Sequence, residues 1–180
     1  MEKPTSYCEY VNTLKEENLH RIYHDTKYGF QVNSDDELFG RLILEINQAG
    51  LSWTTILKKQ DNFRVAFSNF SIKKIANYKE EDIERLLANS GIIRNKLKIN
   101  SVIYNANKII EIQKKYGSFK GWLNEQKNLD LESWIKLFKA NFKFTGGEIT
   151  KEFLMSTGYV KGAHIKSCCI NKLINESTLQ

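Results

Sequence analysis

Glu45 sits where a carboxylate is hard to place, on the apolar stripe of a helix. Leu38, Leu42, Glu45 and Ala49 recur at i, i+4, i+7 and i+11, one face of a 3.6-residue period. Phe39, Ile43 and Ile46 widen that stripe, so it turns toward the core. Glu is rarely buried without a partner, and desolvating its charge is costly. Gly50 then ends or kinks the helix, and Trp53 follows directly. A carboxylate in an apolar wall, beside a break in the backbone and a large flat ring, can recognise a planar molecule. The plainer alternative is a boundary Glu that reaches solvent or pairs with a nearby Arg or Lys.

A second constellation lies at the two ends of the chain. Cys8, His20 and His24 are near the N-terminus, and His164, Cys168 and Cys169 are near the C-terminus. His164 and Cys168 stand at i and i+4, so both reach one ion if that stretch is a helical turn. Cys8 and His24 can supply the other two corners of a tetrahedral zinc site with two thiolates and two imidazoles. Four protein ligands leave no open position, so such a site is structural and staples both ends to the core. The spacing matches no local zinc-finger signature, and two buried thiols beside surface imidazoles are the alternative. A disulfide is disfavoured in a cytosolic protein.

The elements that must hold these groups read almost entirely as helix. Ser34 followed by Asp35, Asp36 and Glu37 is an N-cap and an acidic first turn, opening a helix to Ala49. Further helices are predicted over Ser52–Phe67, Ser71–Asn77, Lys79–Asn89, Lys96–Tyr116, Ser118–Gln126, Leu129–Asn141 and Glu148–Ser156. No alternating strand pattern or Asn-Gly hairpin interrupts them. The fold class is all-α, and 180 residues suffice for one helical domain, its two ends forming a zinc-bound lobe if the Cys and His residues there hold a metal.

Between two of these helices lies Ser90-Gly91-Ile92-Ile93-Arg94, a tight Gly-centred turn with apolar anchors. This is the form of a helix-hairpin-helix. A Gly lets backbone approach a phosphate closely, and the following helix offers unpaired N–H groups at its positive end. Arg94, Lys96 and Lys98 add charge there, where phosphate contacts position a protein without reading sequence. An ordinary corner between two helices with a solvated basic end is the alternative.

Composition agrees without deciding. Lys and Arg number 27 against 21 Asp and Glu, a net charge of +6 that favours an anionic partner, nucleic acid first. The charges come in pairs such as Lys58-Lys59, Lys73-Lys74 and Lys114-Lys115 rather than in one dense tract. The apolar runs are too short to span a bilayer and none has the layout of a signal peptide, so the cytoplasm is the expected location.

Together these features resemble 3-methyladenine DNA glycosylase I, a bacterial base-excision family of the helix-hairpin-helix superfamily. Tyr23-His24-Asp25 followed by Gly29 resembles that family's Y-H-D-x-x-W-G. Leu44-Glu45, Gln48-Ala49-Gly50-Leu51-Ser52-Trp53 and Ile56-Leu57-Lys58-Lys59 resemble its L-E-x-x-Q-A-G-L-S-W-x-x-(I/V)-L-K-K block. Gly91-Ile92-Ile93-Arg94 resembles its hairpin, and Phe142-Lys143-Phe144 with Gly146 resembles its F-K-F-(V/L)-G segment. The resemblance implies hydrolysis of the bond between deoxyribose and an alkylated purine, after the nucleotide is flipped from the duplex. It implies Glu45 as the group that accepts hydrogen bonds from the base and favours its positive charge. It implies that Trp53 stacks on the base and that Tyr23, with Tyr28 and Tyr10, completes the base-binding set. It also implies that Gly91, Ile92, Arg94 and Lys96 contact DNA and that Cys8, His24, His164 and Cys168 hold structural Zn2+, leaving His20 and Cys169 as spares. The expected partner is double-stranded DNA carrying alkylated bases, met by a monomer with no obligate protein partner.

The chain departs from the pattern in places. Tyr28 and Tyr10 stand where the family has Trp, and His20 where it has Tyr. The segment between Tyr116 and Phe142 is short, and Gly146-Gly147-Glu148 adds a carboxylate. No Asp or Glu occurs from Asn95 to Lys108, which agrees with a branch lacking the catalytic Asp of many superfamily members. A non-catalytic DNA-binding relative and a glycosylase acting on a different lesion are the rival readings.

Overall fold

The computed structural model describes residues 4–177, and helix is the regular secondary structure among them. The chain divides into two compact units. One is formed by the chain up to Gln31 together with the chain from Leu154 onward; the other is Val32–Phe153.

The unit built from the two ends contains α1 (Tyr7–Asn12), α2 (Leu19–Thr26) and α11 (Cys169–Ser177). Ser6 caps α1 and Asn18 caps α2 through their side-chain oxygens. Cys8, Cys168 and Ile170 are buried together, with Phe30 and Ile174 packed against them. A sequence reading that placed helices only from Ser34 to Ser156 missed all three, because each is short, six to nine residues.

The larger unit contains α3 (Asp35–Gln48), α4 (Trp53–Ala66), α5 (Ile72–Ala76), α6 (Glu80–Ala88), α7 (Lys96–Tyr116), α8 (Phe119–Glu125) and α9 (Leu131–Asn141), and α10 (Gly147–Ser156) starts within it. These match the predicted helices to within a residue or two at each end. Leu38, Phe39, Leu42, Ile43 and Ile46 are all fully buried, so the stripe on α3 faces the core as its period requires.

The acidic first turn of α3 ties the unit together. Ser34 caps the helix, accepting from the Glu37 N–H at 3.4 Å. Asp35 accepts from the Phe119 N–H (2.7 Å), the Lys120 N–H (2.9 Å) and the Gln113 side chain (2.7 Å), so one carboxylate caps α8 and grips the end of α7. Asp36 accepts from the Ile72 N–H at the start of α5, and Glu37 forms a two-pronged pair with Arg64 at 2.6 and 2.8 Å. Between α4 and α5 the backbone turns left-handed at Ser68, Asn69 and Phe70 (φ 51°, 57° and 63°). That turn drives the Phe70 ring onto Gly40 of α3, where a Cβ would stand 2.3 Å from the ring.

Candidate active site and metal centre

Glu45 lies on the third turn of α3 and is 5% exposed. Among the described residues no hydrogen-bond donor reaches its carboxylate. Burial, reinforced by the negative charge of Glu152 and eased by Arg41, pushes its pKa up to about 8. The helix ends immediately beyond it. Ala49 leaves helical geometry (φ −51°, ψ 118°) and Gly50 adopts φ 81°. A Cβ on Gly50 would meet nothing within 4 Å, so the left-handed conformation is what calls for glycine there. The turn closes through Leu51 N–H to the Gln48 carbonyl (2.7 Å) and the Gln48 side chain to the Leu51 carbonyl (3.1 Å). Ser52 then caps α4, and Trp53 is its first residue, half-buried. The carboxylate and the ring thus sit on the two helices flanking one short turn, and Leu51 is exposed between them.

Two groups in this region were missed or misread. Glu152, on α10, acts on Glu45 electrostatically, whereas Glu148, the carboxylate that stands out in the sequence, is exposed on the first turn of that helix. Lys98 is not a surface phosphate contact. It is 6% exposed, and its ammonium donates to the carbonyls of Asn47 (2.9 Å) and Ala49 (2.8 Å) at the end of α3. Its spacing offered a signal, since Lys98 directly precedes Ile99 and Val102 on the buried face of α7.

The turn between α6 and α7 is held from several sides. Asn89 accepts from the Gly91 N–H (2.8 Å), and Lys59 of α4 donates to the Ser90 carbonyl (2.8 Å). A Cβ on Gly91 would press on the Asn62 and Asn89 side chains at about 3 Å, so close packing by protein accounts for this glycine. Ile92 is buried, which leaves only its backbone for an outside partner. Arg94 and Lys96 are exposed, and Lys96 makes a surface pair with Glu80 at 3.2 Å.

In the unit formed by the ends, Cys8, His24, His164 and Cys168 converge, their ligand atoms all within 4.8 Å of one another. Nδ1 of His164 is 3.1 Å from Nε2 of His24 and 3.7 Å from each sulfur; Cys168 Sγ is 3.8 Å from His24 Nε2. A tetrahedral ion with metal–sulfur bonds of about 2.3 Å and metal–nitrogen bonds of about 2.0 Å requires edges of about 3.3 Å (N–N) and about 3.6 Å (N–S). The N–N distance and these three N–S distances are close to those values. Each imidazole also has its second nitrogen occupied. His24 Nδ1 is 2.7 Å from the Asp25 carboxylate and His164 Nε2 is 2.7 Å from the Tyr28 carbonyl, so the lone pairs of the remaining nitrogens point inward. The four residues form a group able to hold a metal ion. The segment from His164 to Cys168 is a turn closed by the Cys168 N–H and the Ile165 carbonyl rather than a helical turn, and it brings the two ligands together equally well. His20 is instead placed against the Tyr7 hydroxyl (3.1 Å), and Cys169 is exposed.

The three tyrosines belong to this unit. Tyr23 and Tyr28 are buried with their rings 5.7 Å apart, and the Tyr28 ring stands edge-on to His164. Tyr10 packs on Tyr7 and His20. Gly29 is held at φ 80° with the Ala163 Cβ and the His164 ring against it, which leaves no room for a side chain beside the cluster.

The same helical architecture recurs in solved DNA glycosylases. A crystal structure of 3-methyladenine DNA glycosylase I aligns with a TM-score of 0.79 at 32% identity, covering 87% of this chain and 96% of that one. The structure describing 3-methyladenine recognition by the Staphylococcus aureus glycosylase I aligns with a TM-score of 0.78 at 29% identity, covering 87% and 93%. The DNA-3-methyladenine glycosylase 1 of Escherichia coli is 32% identical over 175 residues, spanning 87% of this chain and 93% of that protein. Residues 13–171 match the methyladenine glycosylase family, and the chain belongs to it.

Proposed function

We propose that this protein is a monofunctional DNA glycosylase that releases alkylated purine, 3-methyladenine first, from duplex DNA. The observation that carries the reading is Glu45, a buried carboxylate that no donor of the described residues reaches, across one short turn of chain from Trp53 in a family whose relatives are named for this base. Alkylation of the ring gives adenine a positive charge, which weakens its bond to deoxyribose and makes it a good leaving group. The flipped base stacks on Trp53, its N–H edge donates to Glu45, and the ionised carboxylate favours the cationic lesion over neutral adenine. Tyr23, Tyr28 and Tyr10 complete the base-binding set in this reading and are aromatic residues of the unit formed by the ends. Water attacks the sugar carbon as the base departs, so the products are the free base and an abasic site.

The α6–α7 turn serves as a helix-hairpin-helix. Its backbone at Gly91 and Ile92 and the exposed Arg94 and Lys96 hold the DNA phosphates. Asn95 already caps the Lys98 N–H, so the other free N–H groups of that first turn are the ones offered to an anion. Structural zinc occupies the cluster of Cys8, His24, His164 and Cys168, which is where both ends of the chain are joined.

The test is to incubate purified protein with methylated duplex DNA and separate the released bases. Free 3-methyladenine supports the proposal. Tight binding to lesion-bearing or abasic duplex with no base released would replace it with the non-catalytic reading.

A further inference from the structure

Lys98 raises a question that the fold alone does not answer. Its ammonium is buried, and among the described residues it has no carboxylate partner. Desolvation lowers its pKa, so the buried charge has an electrostatic cost. Its two acceptors are particular ones. The Leu51 N–H, which would meet the Asn47 carbonyl if α3 continued, goes to Gln48 instead, and Ala49 has already left the helix. Both carbonyls are therefore orphans of a helix C-terminus, where a cation is favoured. The backbone of Lys98 is itself pinned, with its N–H on the Asn95 side chain (3.1 Å) and its carbonyl accepting from Ser101 (2.7 Å).

The chain it holds lies between Glu45, two residues before Asn47, and Trp53, four residues after Ala49. The chain from which it reaches is the first turn of α7, directly after the hairpin. We propose that Lys98 is a positioning residue for base excision: its two hydrogen bonds fix the turn that sets Glu45 and Trp53 in register and tie that turn to the DNA-contacting hairpin. This rests on the function proposed above. A misplacement of about 1 Å at a reacting centre can lower a rate roughly 100-fold, so a tether of this kind governs rate more than affinity for DNA.

The experiment uses the full chain and two variants, Lys98→Met, which fills the space without donors, and Lys98→Gln, which keeps N–H donors on a shorter, neutral arm. Three quantities are measured: single-turnover release of 3-methyladenine from methylated duplex, dissociation constants for abasic duplex and for free 3-methyladenine, and melting temperature with metal content. The expected result is a fall of tenfold to 100-fold (roughly, from the same positional sensitivity) in release rate and weakened binding of the free base. Affinity for abasic duplex stays within about threefold and metal content is unchanged. Wild-type rates and free-base affinity in both variants would overturn the proposal. So would a loss of activity that only follows the loss of folded protein, and Lys98→Gln decides this if Lys98→Met does not fold. If wild type itself releases no base, the functional reading fails; if wild type releases base and the variants match it, only the role of Lys98 fails.

Discussion

The Tyr28 carbonyl stands 2.7 Å from Nε2 of His164, and that one bond decides which nitrogen of the imidazole faces Cys8 and Cys168. The Asp25 carboxylate does the same for His24. The lone pairs of the two remaining nitrogens are thereby aimed into the cluster. Purified protein should contain one equivalent of zinc by elemental analysis. With metal bound, only the exposed Cys169 should react quickly with a thiol reagent; after chelation Cys8 and Cys168 should react as well. Cys8→Ser should lose the metal and melt lower. Three fast thiols in metal-free and untreated protein alike would argue against the site.

Glu45 makes stability depend on pH with a defined sign. Its folded pKa of about 8 lies above the ordinary value near 4.5, so the folded state holds the proton more tightly. Stability from this group is present below the ordinary value and is lost as pH rises through about 8. Glu45→Gln should therefore melt above wild type at pH 9 and close to it at pH 5. The ratio kcat/KM for a cationic lesion, which reports the free enzyme, should rise with pH through the same range in wild type. A melting difference independent of pH would contradict the assignment.

Asp35 accepts three hydrogen bonds from groups about 80 residues away in sequence, two of them backbone N–H groups at the start of α8. Asp35→Ala should destabilise the fold by about 3 kcal/mol, since it leaves those donors unmatched. Asp35→Asn, which keeps the acceptor oxygen, should cost less. Denaturant unfolding of the two variants checks the order.

Gly40→Ala puts a methyl group into the ring of Phe70, which the left-handed turn at Ser68–Phe70 holds in place. Overpacking of this kind costs about 1–3 kcal/mol. Phe70→Leu in the same chain should recover part of the loss, and an additive effect of the two changes would show that they do not touch.

Much of this was legible in the residues. The period of Leu38, Leu42, Glu45 and Ala49 put a carboxylate into the core face, and Ser34 with its acids marked the start of that helix. What the acids grip was not legible, because Asp35 reaches α8 and Asp36 reaches α5 across long stretches of chain that no local pattern records. Lys98 was misread for the same reason. A Lys near a hairpin reads as a phosphate contact until the fold brings the end of α3 beneath it. Cys and His stood out as candidate ligands because they are few and gather at the two ends, and the family resemblance singled out four of them, whereas the helices that carry some of them span only six to nine residues and went unseen.

The most direct measurement is the single-turnover rate of 3-methyladenine release from methylated duplex by wild type and by Glu45→Gln, with metal content and melting followed in the same samples. The expected result is release by wild type and a loss of two or more orders of magnitude (on the order of one removed charge contact in a dry site) in a variant that stays folded and metal-bound. Equal rates in the two proteins would contradict the central role given to Glu45.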